Sequence, residues 1–122
     1  MMKTKILVIE DNEDNRRIVR DLLTSAGYEV IEAVTGQEGV TAAETQGPEL
    51  ILMDIQLPDF DGYEATRRIK ANPALSAIPI IAVTSYALSG DDVKAFEAGC
   101  DAYVTKPFSP RELLAKIREY LH

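Results

Sequence analysis

The chain has 122 residues, 46% of them apolar and 27% charged, which fits one globular domain spanning residues 1–122 and leaves no room for a second. Its formal net charge is −7, with 20 acidic residues against 13 basic ones and no Lys/Arg run. Direct nucleic-acid binding is therefore not expected, and an anionic membrane surface is disfavoured for the same reason. The single cysteine, Cys100, rules out an internal disulfide or a cysteine metal cluster. Met1-Met2-Lys3-Thr4-Lys5 is no signal peptide, and the apolar runs are too short for a bilayer, so a cytoplasmic location is expected.

Apolar runs and amphipathic stretches alternate along the chain. Ile6-Leu7-Val8-Ile9 is a β-branched run with the look of a buried strand. Ile18, Val19, Leu22, Leu23 and Ala26 follow with helical spacing, and Gly27 ends that helix as a left-handed cap. Glu29 to Ala33 predicts a second strand. Thr35 with Glu38 is a capping-box pattern opening a helix to about Gln46, which Gly47-Pro48 stops. Leu50-Ile51-Leu52-Met53 is a third buried run and delivers Asp54 at its end. Asp61 with Glu64 opens a third helix, carrying Ala65 and Ile69 on one face and closed by Asn72-Pro73.

Ile80-Ile81-Ala82-Val83 predicts a fourth strand ending at Thr84. Ser89 with Asp92 caps a helix through Ala98, whose thin apolar stripe is mainly Val93 and Phe96. Ala102 to Thr105 is the fifth and shortest strand. Ser109-Pro110-Arg111-Glu112 combines an N-cap, a first-turn proline and a capping glutamate. Leu113, Leu114, Ile117, Tyr120 and Leu121 then line one helical face.

Strict alternation with continuously apolar strands calls for a parallel sheet covered on both faces and joined by right-handed crossovers. Five such units predict an α/β doubly wound, flavodoxin-like fold with five helices and strand order 2-1-3-4-5. Ligands of such sheets bind beyond the carboxyl ends of the strands, so the residues ending each strand matter most. These are Glu10-Asp11, Asp54, Thr84-Ser85 and Thr105-Lys106-Pro107. Three carboxylates in one crevice repel by about 4 kcal/mol per pair at 4 Å and an effective dielectric of 20, so a cation belongs among them. All-oxygen ligands favour Mg2+. With the ammonium of Lys106 and the hydroxyl of Thr84, the set holds a nucleophile and positive groups for phosphoryl oxygens.

The ordered set Val8-Ile9-Glu10-Asp11-Asn12, Leu52-Met53-Asp54-Ile55-Gln56-Leu57-Pro58 with Asp61-Gly62, Val83-Thr84 and Tyr103-Val104-Thr105-Lys106-Pro107-Phe108 resembles response-regulator receiver domains over essentially the whole chain. The resemblance implies that Asp54 accepts phosphate from a histidine kinase or a histidine phosphotransfer protein. It implies Mg2+ bound directly by Asp11, Asp54 and the backbone carbonyl of Gln56, with Glu10 acting through a metal-bound water. Lys106, in a cis Lys-Pro peptide, and Thr84 would each bond a phosphoryl oxygen. Thr84 and Tyr103 would form the switch, Tyr103 swinging inward to reshape the face of helix four, strand five and helix five for a downstream protein target. The implied protein is no enzyme in the ordinary sense, but a phosphoacceptor that assists its own phosphorylation and dephosphorylation.

Ala102, where one DNA-binding subfamily carries an acid beside Asp101, weakens the case for that subfamily's dimer, so a monomer or weak dimer is expected. The chain ends with its last helix and resembles single-domain cell-cycle regulators and the receivers of hybrid kinases. Tyr86, flanking the phosphate with Gln56, is expected to restrict attacking water. His122, at the chain end, is assigned no role. Two other readings compete. A Mg2+-dependent phosphohydrolase would need an acid shortly after the nucleophile, where Ile55-Gln56 stands. An interaction module indifferent to phosphorylation would bind its partner equally well after Asp54→Asn.

Overall fold

The structure, a computed structural model, describes residues 3–84 and 91–121, with the side chains of Asp91 and Asp92 left out. The expectations for Ser85, Tyr86, His122 and the Ser89–Asp92 cap lie outside the described residues.

Ten elements alternate: β1 (Lys5–Ile9), α1 (Glu13–Ser25), β2 (Glu29–Ala33), α2 (Gly36–Gln46), β3 (Leu50–Asp54), α3 (Gly62–Ala71), β4 (Ile80–Thr84), α4 (Asp91–Ala98), β5 (Ala102–Thr105) and α5 (Pro110–Tyr120). All strand pairs are parallel, and the order is β2-β1-β3-β4-β5, as expected. Strands β3 and β4 are buried at every residue because helices cover both sheet faces. Side chains alternate across the pleat. Ile6, Val8, Leu52 and Ile81 join Leu23 of α1 and Leu113 and Ile117 of α5 on one face. Leu7, Ile9, Ile51, Met53 and Ile80 join Val40 of α2, Ile69 of α3 and Ala95 of α4 on the other.

Local chemistry places the helix ends. Asn12, Thr35, Asp61 and Ser109 each accept a hydrogen bond from the backbone N–H three residues on, contributing about 1 kcal/mol apiece. Gly27 and Gly47 have φ of 95° and 62°, the left-handed conformation that lets the chain leave α1 and α2.

One packing expectation needs correction. Val93 and Phe96 do not form the buried stripe of α4; they are 53% and 52% exposed, and the helix packs through Ala95 and Ala98. Small residues let α4 sit close to the sheet, which turns its large apolar residues outward. Ile18, one of the apolar residues at helical spacing in α1, is 62% exposed, while Leu23 is fully buried.

A candidate phosphoacceptor crevice

The strand order reverses between β1 and β3. The chain leaves β1 toward β2 on one side and later returns to lay β3 on the other, so the loops after β1 and β3 diverge and open a crevice. Register completes it. Ile9 pairs with Met53, so Glu10 and Asp54 end adjacent strands at one height, and Thr84 pairs with Thr105, which brings Lys106 to the same rim.

Glu10, Asp11 and Asp54 each present an oxygen within 4.8 Å of the others. Glu10 and Asp54 are 5% and 6% exposed, whereas Asp11 is open to solvent. The ammonium of Lys106 lies 2.7 Å from Glu10 Oε1 and 4.0 Å from Asp54 Oδ2, so its direct partner is Glu10. The Gln56 N–H donates to Asp54 Oδ1 at 3.1 Å. Thr84, 2% exposed, accepts from the Lys106 N–H through its carbonyl at 2.7 Å. Tyr103 is half-buried against the α2–α3–α4 side of the core. The Lys106-Pro107 peptide is cis, as the resemblance implied.

The two buried acids divide their protonation. Desolvation, then the hydrogen bond and charge of Glu10, push Asp54 up to about 7. Glu10 is also desolvated, but the hydrogen bond with Asp54 and the ion pair with Lys106 outweigh this and hold it below its usual value. The Glu10–Asp54 pair thus binds a proton more tightly than two separate carboxylates would. The donor set of the crevice is all carboxylate, with no His or Cys, and this chemistry fits a hard divalent ion.

Below the rim a cavity of about 500 Å³ runs between α1 and α5, bounded by Ile18, Val19, Phe108 and Leu113 and opening beside Asp54 and Lys106. Two further residues shape the crevice. A Cβ on Gly62 would strike the Asp54 carbonyl oxygen and lie 2.8 Å from Ile55 Cα, so α3 can start this close to Asp54 only with glycine. The Asp59 carboxylate accepts from Gly36 N and Gln37 N at 2.8 and 2.9 Å, tying the loop after Asp54 to the start of α2. No local signal in the sequence announces this tie, since its partners lie more than twenty residues away. The Asp61-Gly62 pair carried the only hint for Gly62.

Gly62→Ala is expected to cost about 1–3 kcal/mol through backbone displacement. It should lower the thermal midpoint. A midpoint equal to wild type would show that the approach is not tight.

Residues 6–118 match the model of the response regulator receiver domain. The chain belongs to the response regulator receiver domain family. As a receiver domain it is a phosphorylation-activated signalling switch of the two-component kind. It is 42% identical over 120 residues to the polar-differentiation response regulator DivK of Brucella ovis, covering 98% of both chains. Among solved structures it is similar to the receiver domain of a sensor histidine kinase from Pseudomonas aeruginosa, with 39% identity, a TM-score of 0.91 and 98% of each chain covered. That structure has a magnesium ion coordinated in its active site cleft. The chemotaxis protein CheY4 of Vibrio cholerae is 26% identical with a TM-score of 0.93, covering 98% of this receiver and 100% of that chain. No helix among the described residues is long and apolar enough to cross a membrane.

Proposed function

We propose that this receiver takes a phosphoryl group onto Asp54 from the phosphohistidine of a histidine kinase or a histidine phosphotransfer protein, with Mg2+ held by Asp11, Asp54 and the Gln56 carbonyl and by Glu10 through water. The observation that carries the reading is the convergence of Glu10, Asp11, Asp54 and Lys106 from three strand ends onto one rim. Bound Mg2+ supplies charge neutralisation for the acids and the phosphoryl oxygens. The ionised Asp54 carboxylate attacks phosphorus, a P–O bond forms as the donor's P–N bond breaks, and the electron pair stays on the departing imidazole nitrogen. Lys106 bonds one equatorial oxygen. Thr84 bonds another and moves toward it, and Tyr103 follows inward.

The energy is close to sufficient. Two new hydrogen bonds to a charged group contribute roughly 1.5–3 kcal/mol each, against about 5.5 kcal/mol for a full 1:99 to 99:1 shift. The changed face of α4, β5 and α5, where Val93 and Phe96 stand exposed, would then meet a downstream protein.

The receiver assists its own chemistry, so a small phosphodonor should be enough. Acetyl phosphate with Mg2+ is expected to add one phosphoryl group to the peptide containing Asp54, and EDTA to prevent it. Labelling at another residue, or none in the presence of Mg2+, would reject the assignment. Phosphotransfer from candidate kinases, followed by pull-down with both forms, identifies donor and target.

A further inference from the structure

We propose that Arg16 is a positioning residue for the crevice, anchored by Glu32 and holding the β1–α1 turn in the shape that binds a divalent cation. The proposal rests on the metal reading above and adds two residues to it, neither of which touches the ion.

Three bonds converge on Arg16. Its Nη1 donates to the Glu10 carbonyl at 3.0 Å, and its own backbone N–H donates to the Asn12 carbonyl at 2.9 Å. The two carbonyls flanking Asp11 are therefore both held by one residue. Asp11 is the exposed member of the acid triad, and its side chain is positioned only as well as this turn is. The third bond runs from Arg16 Nε to Glu32 Oε1 at 3.0 Å. Glu32 stands on β2 opposite Val8 of β1, and Arg20 holds its other oxygen at 3.5 Å. The Glu10 N–H donates to the Ala33 carbonyl at 3.0 Å, so Glu10 is tied to β2 directly through its nitrogen and by way of Arg16 through its oxygen. The Arg16 side chain is 16% exposed; that of Arg17, its neighbour, is 57% exposed and among the described residues pairs only with Asp14 on the same helix.

Charge and geometry make opposite demands here, which gives the proposal a signed test. Arg16 is a cation near an acidic crevice, and electrostatics alone says that removing it should tighten cation binding. Positioning says that removing it loosens the turn and weakens binding, on the scale of roughly 10-fold seen when outer partners of metal ligands are lost.

The experiment measures binding of Mn2+ by electron paramagnetic resonance and of Mg2+ by calorimetry, without phosphodonor. It compares wild type, Arg16→Gln, Arg16→Lys, Glu32→Gln and Arg17→Gln, with circular dichroism and thermal melts for folding. Arg16→Gln is expected to bind about 10-fold more weakly. Arg16→Lys should weaken binding as well, because one ammonium cannot span the Glu10 carbonyl and Glu32; it is the variant to read if the glutamine variant fails to fold. Glu32→Gln should fall between these and wild type, and Arg17→Gln should match wild type or bind slightly tighter. Unchanged or tighter binding by folded Arg16 variants overturns the proposal. A parallel loss in Arg17→Gln overturns it too, since the effect would then belong to net charge. Wild-type protein that binds neither ion contradicts the metal reading itself, an outcome distinct from both.

Discussion

Asp54→Asn is expected to take no phosphoryl label from any donor and, at pH 8 without Mg2+, to melt at a higher temperature than wild type. The loss of labelling follows from removing the carboxylate proposed as the phosphoacceptor. The gain in stability follows from the crevice. Folding brings Asp54 to 6% exposure beside Glu10, and desolvation together with that neighbour pushes it up to about 7.

Between roughly pH 4 and 7 the folded protein holds a proton that the unfolded chain has released. This contribution to stability is complete below the unfolded value and is lost as pH rises through about 7. Glu10 acts in the other direction and in a lower window. Its value is depressed, so its contribution is present above the usual carboxylate range and lost as pH falls through the folded value. From pH 5.5 to 8 the slope therefore belongs to Asp54.

In metal-free protein the wild-type midpoint should fall across that interval, while that of Asp54→Asn stays nearly flat. The variant should be ahead at pH 8 by about 1–2 kcal/mol once solvent screening at the rim is allowed for. Mg2+ competes with the same proton, so it should raise the wild-type midpoint more at pH 8 than at pH 5.5. It should do much less for the variant. Parallel wild-type and variant curves would disprove the account of the crevice.

Lys106→Met should have the next largest effect. Methionine keeps the length and apolar stem of lysine and removes only the charge. Stabilising a transferring phosphoryl group with one fewer donor is expected to slow labelling on the order of 10²-fold. Stability should drop as well, by about 1–3 kcal/mol, because Glu10 at 5% exposure loses a partner 2.7 Å away.

The two effects are separable. Glu10→Gln in the Lys106→Met background removes the stranded charge and should recover much of the midpoint, but none of the labelling rate. Stopped-flow or quenched-flow phosphorylation together with thermal melts reads both. Labelling within twofold of wild type in Lys106→Met would show that the ammonium does not meet the phosphoryl group.

Much of this protein was legible in its sequence, because much of it depends on neighbours a few residues apart. A helix N-cap answers to residues three positions on, and Thr35, Asp61 and Ser109 each proved to accept the bond that their spacing announced. A strand covered on both faces is apolar at every residue, so Leu50 to Met53 and Ile80 to Val83 were recognisable. The strand order was the economical choice for five such units, and the order put Glu10, Asp11, Asp54 and Lys106 at one rim. The periodicity of α4 misled because it reports which residues share a face, not which face is buried; Ala95 and Ala98 face the core, and Phe96 does not.

What the tertiary structure alone decided is the pairing of polar groups far apart in the chain. Lys106 meets Glu10 across 96 residues, Asp59 caps α2 across 23, and Arg16 reaches Glu32 across 16. No local periodicity encodes these partners. Each choice depends on strand register and helix approach to within a few tenths of an ångström, the scale on which a hydrogen bond forms or fails. Acidic and basic residues at strand ends can announce that a crevice exists, but the division of its proton and the groups that hold it in shape emerge only when the sheet has closed.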